Sequence, residues 1–553
     1  MIIKPAKMDE AEDKMAEEKK KIRIIKQICR WIWLAILTAL ILGVLMIDAP
    51  WKVLALLLIL LAAHTILPKA AIKWFWLSVV VIIIILIIWV FLPDETEGWR
   101  PYTFDEELAA LQAKYAIPDS ENAATIYNQL SQMYGDIVFP FDFFGEEVES
   151  LTRIELWKST EYPDVARWIK DQQELISKLL DVSRVEKCRL PIKPDFPQLS
   201  KYHDVLLAMR QWTFLLVRAA NNDIAEGRAD AALEKCLCLN QMVDHIRQQP
   251  IMLDTLIGFT IEEIAAKQIK KFIVTDKLTE SHLSTVEKNL KAVKHDWCSD
   301  IPKFLEYDKL LIKDLLSFFY EINPQGKTRL SRNSISIIKA QYREKYQRHL
   351  TNRQRKLARA AVIAAWFFMP STPQKASKII DNSFEKYYAM AKPDFDWQKA
   401  PPPIFSWPNF CSELRFNYPY FIGLIVDMHE KSLYQIHDLY LRRIASNRGR
   451  QIIIELKRHK NKTGRWPENL NEIRPFASAE IFIDPFNNDS FVYKLTEDNF
   501  LLYSRGKNNI DENGQYTTEW SAEYNCYKVK EDDWLIWPPR GSRLSLKEDS
   551  NDQ

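Results

Sequence analysis

The side chains best suited to chemistry are few, and most of their spacings fail. Gly326-Lys327-Thr328 ends like a phosphate loop, in which a glycine-rich turn cradles phosphate oxygens and a lysine reaches them. That motif needs glycine at 321, where Glu321 stands. His429-Glu430 opens the spacing of a zinc-protease helix, but Leu433 fills the place of the second histidine. Asp427, His429 and His437 share one helical stretch, yet 429 and 437 are two turns apart, too far for one metal ion, so they read as surface or core residues. No Gly-x-Ser-x-Gly elbow marks a nucleophilic serine. Neither a catalytic nor a cofactor-binding set emerges from these spacings. Cys188, Cys236, Cys238, Cys298, Cys411 and Cys526 lie outside the apolar front of the chain. Cys236 and Cys238 sit two apart on a helix and face different ways, so they do not pair with each other. Longer bridges and buried free thiols both stay open.

Charge is concentrated in one place. Residues 327–359 carry a net +10, with Glu344 as the single acid, in a chain whose total is +2. Within this run Arg343, Lys345, Arg348, Arg353, Arg355, Lys356 and Arg359 lead into AAVIAAWFFM, 360–369, which is too short to cross a bilayer. One reading rests this segment on anionic headgroups, each cation adding about 1 kcal/mol near the surface. The other is a solvated basic face on a packed helix, with 360–369 in the core. Nucleic acid is not expected as a partner, because no recognition motif accompanies the charge.

The elements that must position these groups are mainly helical. Of 553 residues 47% are hydrophobic and only 13 are glycine, which argues against glycine-rich phosphate loops and repeated hairpins; the length allows two or three domains. A basic tail, 1–30, precedes an apolar region, 31–93, with three candidate spans at 31–47, 53–68 and 74–93. The third holds 20 consecutive uncharged residues, enough to cross a ~30 Å hydrocarbon core as a helix. Lys19, Lys20, Lys21, Arg23, Lys26 and Arg30 place the amino terminus in the cytoplasm, and Asp94, Glu95 and Glu97 mark the opposite side. The expectation is a bacterial inner-membrane protein with the lipid bilayer as a partner and residues 94–553 extracytoplasmic.

Residues 94–392 read as a helical domain. Apolar residues recur at helical spacing from Leu206 to Ile224, Gly227 follows as a cap, Asp230 opens a second helix and Pro250 a third, so the three should pack as antiparallel neighbours. A proline-rich linker, 393–418, leads to 419–540, where a long helix containing Gly449 as a possible bend precedes short strand candidates with turn chemistry between them. A polar tail, 541–553, follows. The expected fold is mainly α with a small C-terminal α+β domain: N-terminal transmembrane helices, a helical bundle-like body and a long helix packed on a small antiparallel sheet.

Gly464-Arg465-Trp466-Pro467, Asp484-Pro485, Tyr493, Leu502-Tyr503-Ser504 with Gly506, and Asp532-Asp533 before Trp534 resemble the head of the major pseudopilin of type II secretion systems. The likeness covers about 90 of the 553 residues. The chain departs from that family in its multi-run front and its long helical insertion, so polymerisation as a pilin is not expected. The resemblance implies calcium in the loop after the Leu-Tyr-Ser strand, with ligands from Asp511, Asn513, Asp532 and Asp533, beside the plainer reading of a polar turn. It also implies an envelope or pseudopilin-like protein partner. The function expected is a non-catalytic, membrane-anchored binding or scaffold protein of the envelope. The alternatives are an accessory part of a secretion or pilus-like assembly, and an anchored hydrolase using a carboxylate pair in a deep pocket.

Overall fold

The computed structural model describes residues 98–135, 137, 139–190, 199–276, 278–293, 296–331, 372–397, 420–497, 499–521 and 526–539. The chain divides into two compact units.

In the first unit, β1 (Arg100–Pro101), β2 (Tyr320–Ile322) and β3 (Thr328–Leu330) form a three-stranded antiparallel sheet with β2 in the middle. Gly326-Lys327-Thr328 belongs to the β2–β3 turn. The Asn323 side chain accepts from the amides of Gln325 and Lys327, and Gly326 takes φ +79, a left-handed turn position that glycine adopts without strain. Glu321 accepts from Arg329 Nε at 3.0 Å and from Ser331 Oγ at 2.7 Å across the sheet, so the residue that breaks the phosphate-loop motif is a structural acid.

The second unit comprises 104–315, 381–406 and 426–553. Its helices are α1 (Asp105–Lys114), α2 (Ala123–Tyr134), α3 (Phe141–Ile154), α4 (Pro163–Asp171), α5 (Gln173–Val182), α6 (Leu199–Ala225), α7 (Ala229–Arg247), α8 (Met252–Val274), α9 (Glu280–Ala292) and α10 (Trp297–Asp314). Parts of α11 (Pro373–Met390) and α12 (Tyr420–Thr463) complete them. The α6–α7 joint shows how the sequence ends one helix and starts the next. Gly227 at φ +76 donates to Ile224 O and Arg228 donates to Asp223 O, the paired bonds that satisfy the last carbonyls of a helix. Asp230 in the first turn of α7 and His245 and Arg247 in its last turn complement the helix dipole. Tyr127, Leu179, Leu206, Trp212, Leu216, Leu239 and Met242 fill one core among α2, α5, α6 and α7.

After α12, strands β4 (Val492–Leu495), β5 (Phe500–Ser504), β6 (Tyr516–Ser521), β7 (Cys526–Asp532) and β8 (Trp534–Trp537) form two antiparallel sheets, β4-β5-β8 and the hairpin β6-β7. The central strand β5 is buried along its whole length. Helices and head share a second core: Ile224, Phe272, Leu283 and Val286 meet Ile452, Leu456, Trp466, Phe500, Leu502 and Ile536. Burying that apolar surface, worth roughly 25 cal/mol per Å2, ties the terminal sheet to the helical body.

Gly449 lies within α12, where a Cβ would stand 2.6 Å from Ile536 Cγ2 and 2.8 Å from Cδ1 on β8. It is therefore a close-approach position. Gly449→Val is expected to lower stability by about 2 kcal/mol by overpacking. Gly449→Ala is expected to lose less, because about 1 kcal/mol of helix propensity offsets part of the shift forced on the buried Ile536 side chain. Thermal melting of the two variants checks the contrast.

One expectation is corrected. No helix among the described residues is long and apolar enough to cross a membrane. The fold shown is mostly helical with small antiparallel sheets, without the N-terminal transmembrane helices expected of it. The longest described helices, α6, α8 and α12, carry charged residues along their length, which suits packing within protein rather than lipid. The runs 31–47, 53–68 and 74–93, the basic tail 1–30, the cations Arg343, Lys345, Arg348, Arg353, Arg355, Lys356 and Arg359, and the tail 541–553 lie outside the described residues.

Candidate functional site

The four residues of the expected calcium loop meet at one end of the head, each engaged by protein groups. Asp511 Oδ1 accepts from Tyr503 Oη at 2.5 Å and from the Asn513 amide at 3.0 Å, and Lys494 Nζ lies 3.3 Å from Asp511 Oδ2 and 2.7 Å from Asn513 Oδ1. Although burial acts to raise it, the Asp511 carboxyl is held below its usual range by these bonds. Asp533 Oδ2 accepts from the Glu512 and Gly514 amides, both at 2.8 Å, and Asp532 Oδ2 from the Lys507 amide at 2.7 Å. Burial pushes Asp533 up to about 6 and also raises Asp532. The loop is brought together, with the Lys494 ammonium beside Asp511 and Asn513 and backbone amides on the carboxylates of Asp511, Asp532 and Asp533. Among the described residues no group of three or more His, Cys, Asp or Glu stands ready for a metal ion.

A different place carries the larger opening. Between the α6–α7 joint, the end of α8 and the head lies a cleft of about 670 Å3. Ile224, Phe272, Leu278, Trp466 and Trp537 give it apolar walls, and Asp276, Lys460 and Asn499 add polar ones. Trp466 is held by an edge contact to Phe500 at 4.8 Å, and the Tyr493 hydroxyl fixes the neighbouring backbone by donating to Pro467 O at 2.7 Å. Lys271 also lines the cleft. Its ammonium donates to Ile154 O, and Arg153 O and Asn221 Oδ1 lie 3.5 and 3.4 Å away. Burial pushes its pKa down to about 8, against the pull of Glu155. At pH 7 roughly nine in ten of these groups remain ammonium. Lys271 thus braces the ends of α3 and α6 against α8. Its neighbour Lys270 does the same for the head, donating to Ile536 O at 2.9 Å.

Around this cleft the acids of the helices are spent on internal pairs. Glu149 meets Arg218 at 2.6 Å, and Asp223 holds both Arg228 and Lys235 at 2.7 Å. Two buried carboxyl groups, Asp254 on α8 and Asp308 on α10, influence each other, and neither lines this cleft. His437 stacks on Trp397 at 3.8 Å with Trp297 edge-on at 4.9 Å, and burial with nearby Lys507 pushes it down to about 4, so it is a core histidine. The side chains of Asp427 and His429 lie outside the described residues. Cys188, Cys236, Cys238 and Cys298 are free thiols; burial pushes the first three up to about 12, which makes them inert.

Sequence reasoning missed Lys271. The available signal was the pair Lys270-Lys271 between Ile269 and Phe272, two cations inside an apolar stretch of helix that must find carbonyl partners or face water. Neither the known protein families and curated proteins nor the solved structures gave a match to this chain.

Proposed function

We propose that the protein is a non-catalytic binding or scaffold protein of the bacterial envelope, and that its helical body and head jointly hold the apolar part of a ligand or partner in the Lys271 cleft. The observation that carries this reading is the state of Lys271. The Lys271 amine, its pKa depressed by burial, is engaged as a donor by main-chain and amide oxygens, which makes it a brace between walls, and what the walls then offer is shape and aromatic surface. Attachment to a bilayer and an extracytoplasmic position for residues 94–553 rest on the uncharged runs and flanking charges of the sequence.

The test uses the amphiphilic fluorescent anion anilinonaphthalene sulfonate with the full-length chain. A saturable enhancement is expected, and Ala229→Trp, which fills the cleft from the start of α7, should weaken it at least tenfold while the melting temperature stays within a few degrees. Equal enhancement in both proteins would remove the cleft as a binding site.

A further inference from the structure

A second opening in the same unit, of about 200 Å3, is lined by three cations, Arg189, Arg247 and Lys303, against two acids, Asp244 and Asp300. The acids have cationic neighbours on their own helices: Arg247 Nη1 lies 3.3 Å from Asp244 Oδ1, and Lys303 Nζ 3.9 Å from Asp300 Oδ1. Arg189 is the charge left over.

The backbone of Arg189 is held on both sides. Its amide donates to Asn122 Oδ1 at 2.8 Å and its carbonyl accepts from Asn122 Nδ2 at 3.0 Å. The Cys188 amide donates to Gln248 Oε1 at 2.7 Å, and the Leu190 amide to Gln249 Oε1 at 2.9 Å. Asn122 is itself the N-cap of α2, and Gln248 and Gln249 follow α7, so two helices fix this one residue. Its guanidinium is treated differently. Nε and Nη1 are shielded from solvent and have no hydrogen-bond partner, and the nearest ring, Tyr115, lies 5.7 Å from the guanidinium carbon. A shielded donor without a partner is destabilising, and a charged one more so. A side chain whose root is clamped and whose donors are unspent suits a ligand that supplies acceptor oxygens.

We propose that this cleft is an oxyanion site, in which Arg189, turning about its terminal torsions, donates to the oxygens of a phosphate or carboxylate group while Arg247 and Lys303 complete the positive wall. It is separate from the Lys271 cleft and does not depend on it. With three cations against two acids, one bound anionic group brings the site towards neutrality. Tyr115 and Tyr307, whose rings stand 5.8 Å apart, also line the cleft.

Calorimetric titration of the full-length chain with inorganic phosphate and with acetate, at constant ionic strength, tests this. Saturable binding of at least one is expected. Phosphate alone assigns a phosphate group, acetate alone a carboxylate, and both assign a general oxyanion site. Arg189→Gln should weaken binding at least tenfold, whereas Arg184→Gln, an exposed arginine paired with Asp181 in the same connection, should leave it unchanged. Protection of Arg189 from phenylglyoxal by the bound anion, read by mass spectrometry on the unaltered protein, gives the same answer without a variant. No saturable binding of either anion, undiminished binding by Arg189→Gln, or no protection would overturn the proposal.

Discussion

Raising the pH from about 6 to about 9 is expected to destabilise the helical body by about 3 kcal/mol through one carboxyl group, Asp308. This side chain is buried on α10, and burial pushes its pKa up to about 8, with the charge of Asp254 adding to the effect and the Met252 amide, 3.4 Å from Oδ1, opposing it. In the unfolded chain the same group titrates near 3.9. The folded protein therefore holds this proton more tightly, so its contribution is fully present below about pH 4 and is lost at about 1.4 kcal/mol per unit as pH rises through 8. Asp308→Asn cannot ionise and keeps an acceptor for the Met252 amide. Its stability should lie within about 1 kcal/mol of the parent near pH 4, exceed it by about 3 kcal/mol at pH 6 and by about 5–6 kcal/mol at pH 9. Urea unfolding of the two proteins at pH 4, 6 and 9 decides the matter; parallel pH profiles would show that Asp308 is not the titrating group.

Asp308 also shows what a single sequence does and does not disclose. The three helices around Gly227 are legible from local signals, because a glycine cap, an acidic first turn and apolar residues at helical spacing all act within a few residues of one another. Strands β4, β5 and β8 of the head are legible for the same reason, whereas nothing in the local pattern announces β6 and β7 beyond the turn at Asn513 and Gly514, both at positive φ. Burial of a charge is different. Lys271, Arg189 and Asp308 owe their surroundings to segments far away in sequence, such as residues 153 and 154 for Lys271 and Asn122 for Arg189. Nothing in the neighbouring residues announces those partners. The surroundings of the expected calcium loop are hidden for a related reason: the ammonium beside Asp511 and Asn513 comes from Lys494 on β4, which the spacing of the acids does not include.

The loop that gathers those acids depends on one glycine, and replacing it should be the most damaging small change in the head. Gly506 follows β5 at φ +60, and a Cβ there would stand 2.2 Å from the carbonyl oxygen of Asp532 and 2.6 Å from its carboxyl carbon. The first contact is with backbone, which cannot swing aside as a side-chain tip does. The surrounding bonds resist any shift: Gly506 N donates to Ser504 Oγ, Gly506 O accepts from Asn487 Nδ2, and the next amide, Lys507, donates to Asp532 Oδ2. Gly506→Ala is expected to cost on the order of 4 kcal/mol, of which the left-handed backbone accounts for about 1–2 kcal/mol and displacement of β7 for the rest. Gly464→Ala is the matched comparison, because Gly464 has φ +80 at the end of α12 and nothing within 4 Å of its would-be Cβ. That variant should lose only the backbone share, about 1 kcal/mol. Thermal melting of the pair separates the two contributions: equal losses would mean that the head yields at Asp532, whereas a loss several times larger at 506, or failure of that variant alone to fold, means that β7 and the loop after β5 are held in contact by the absence of a single methyl group.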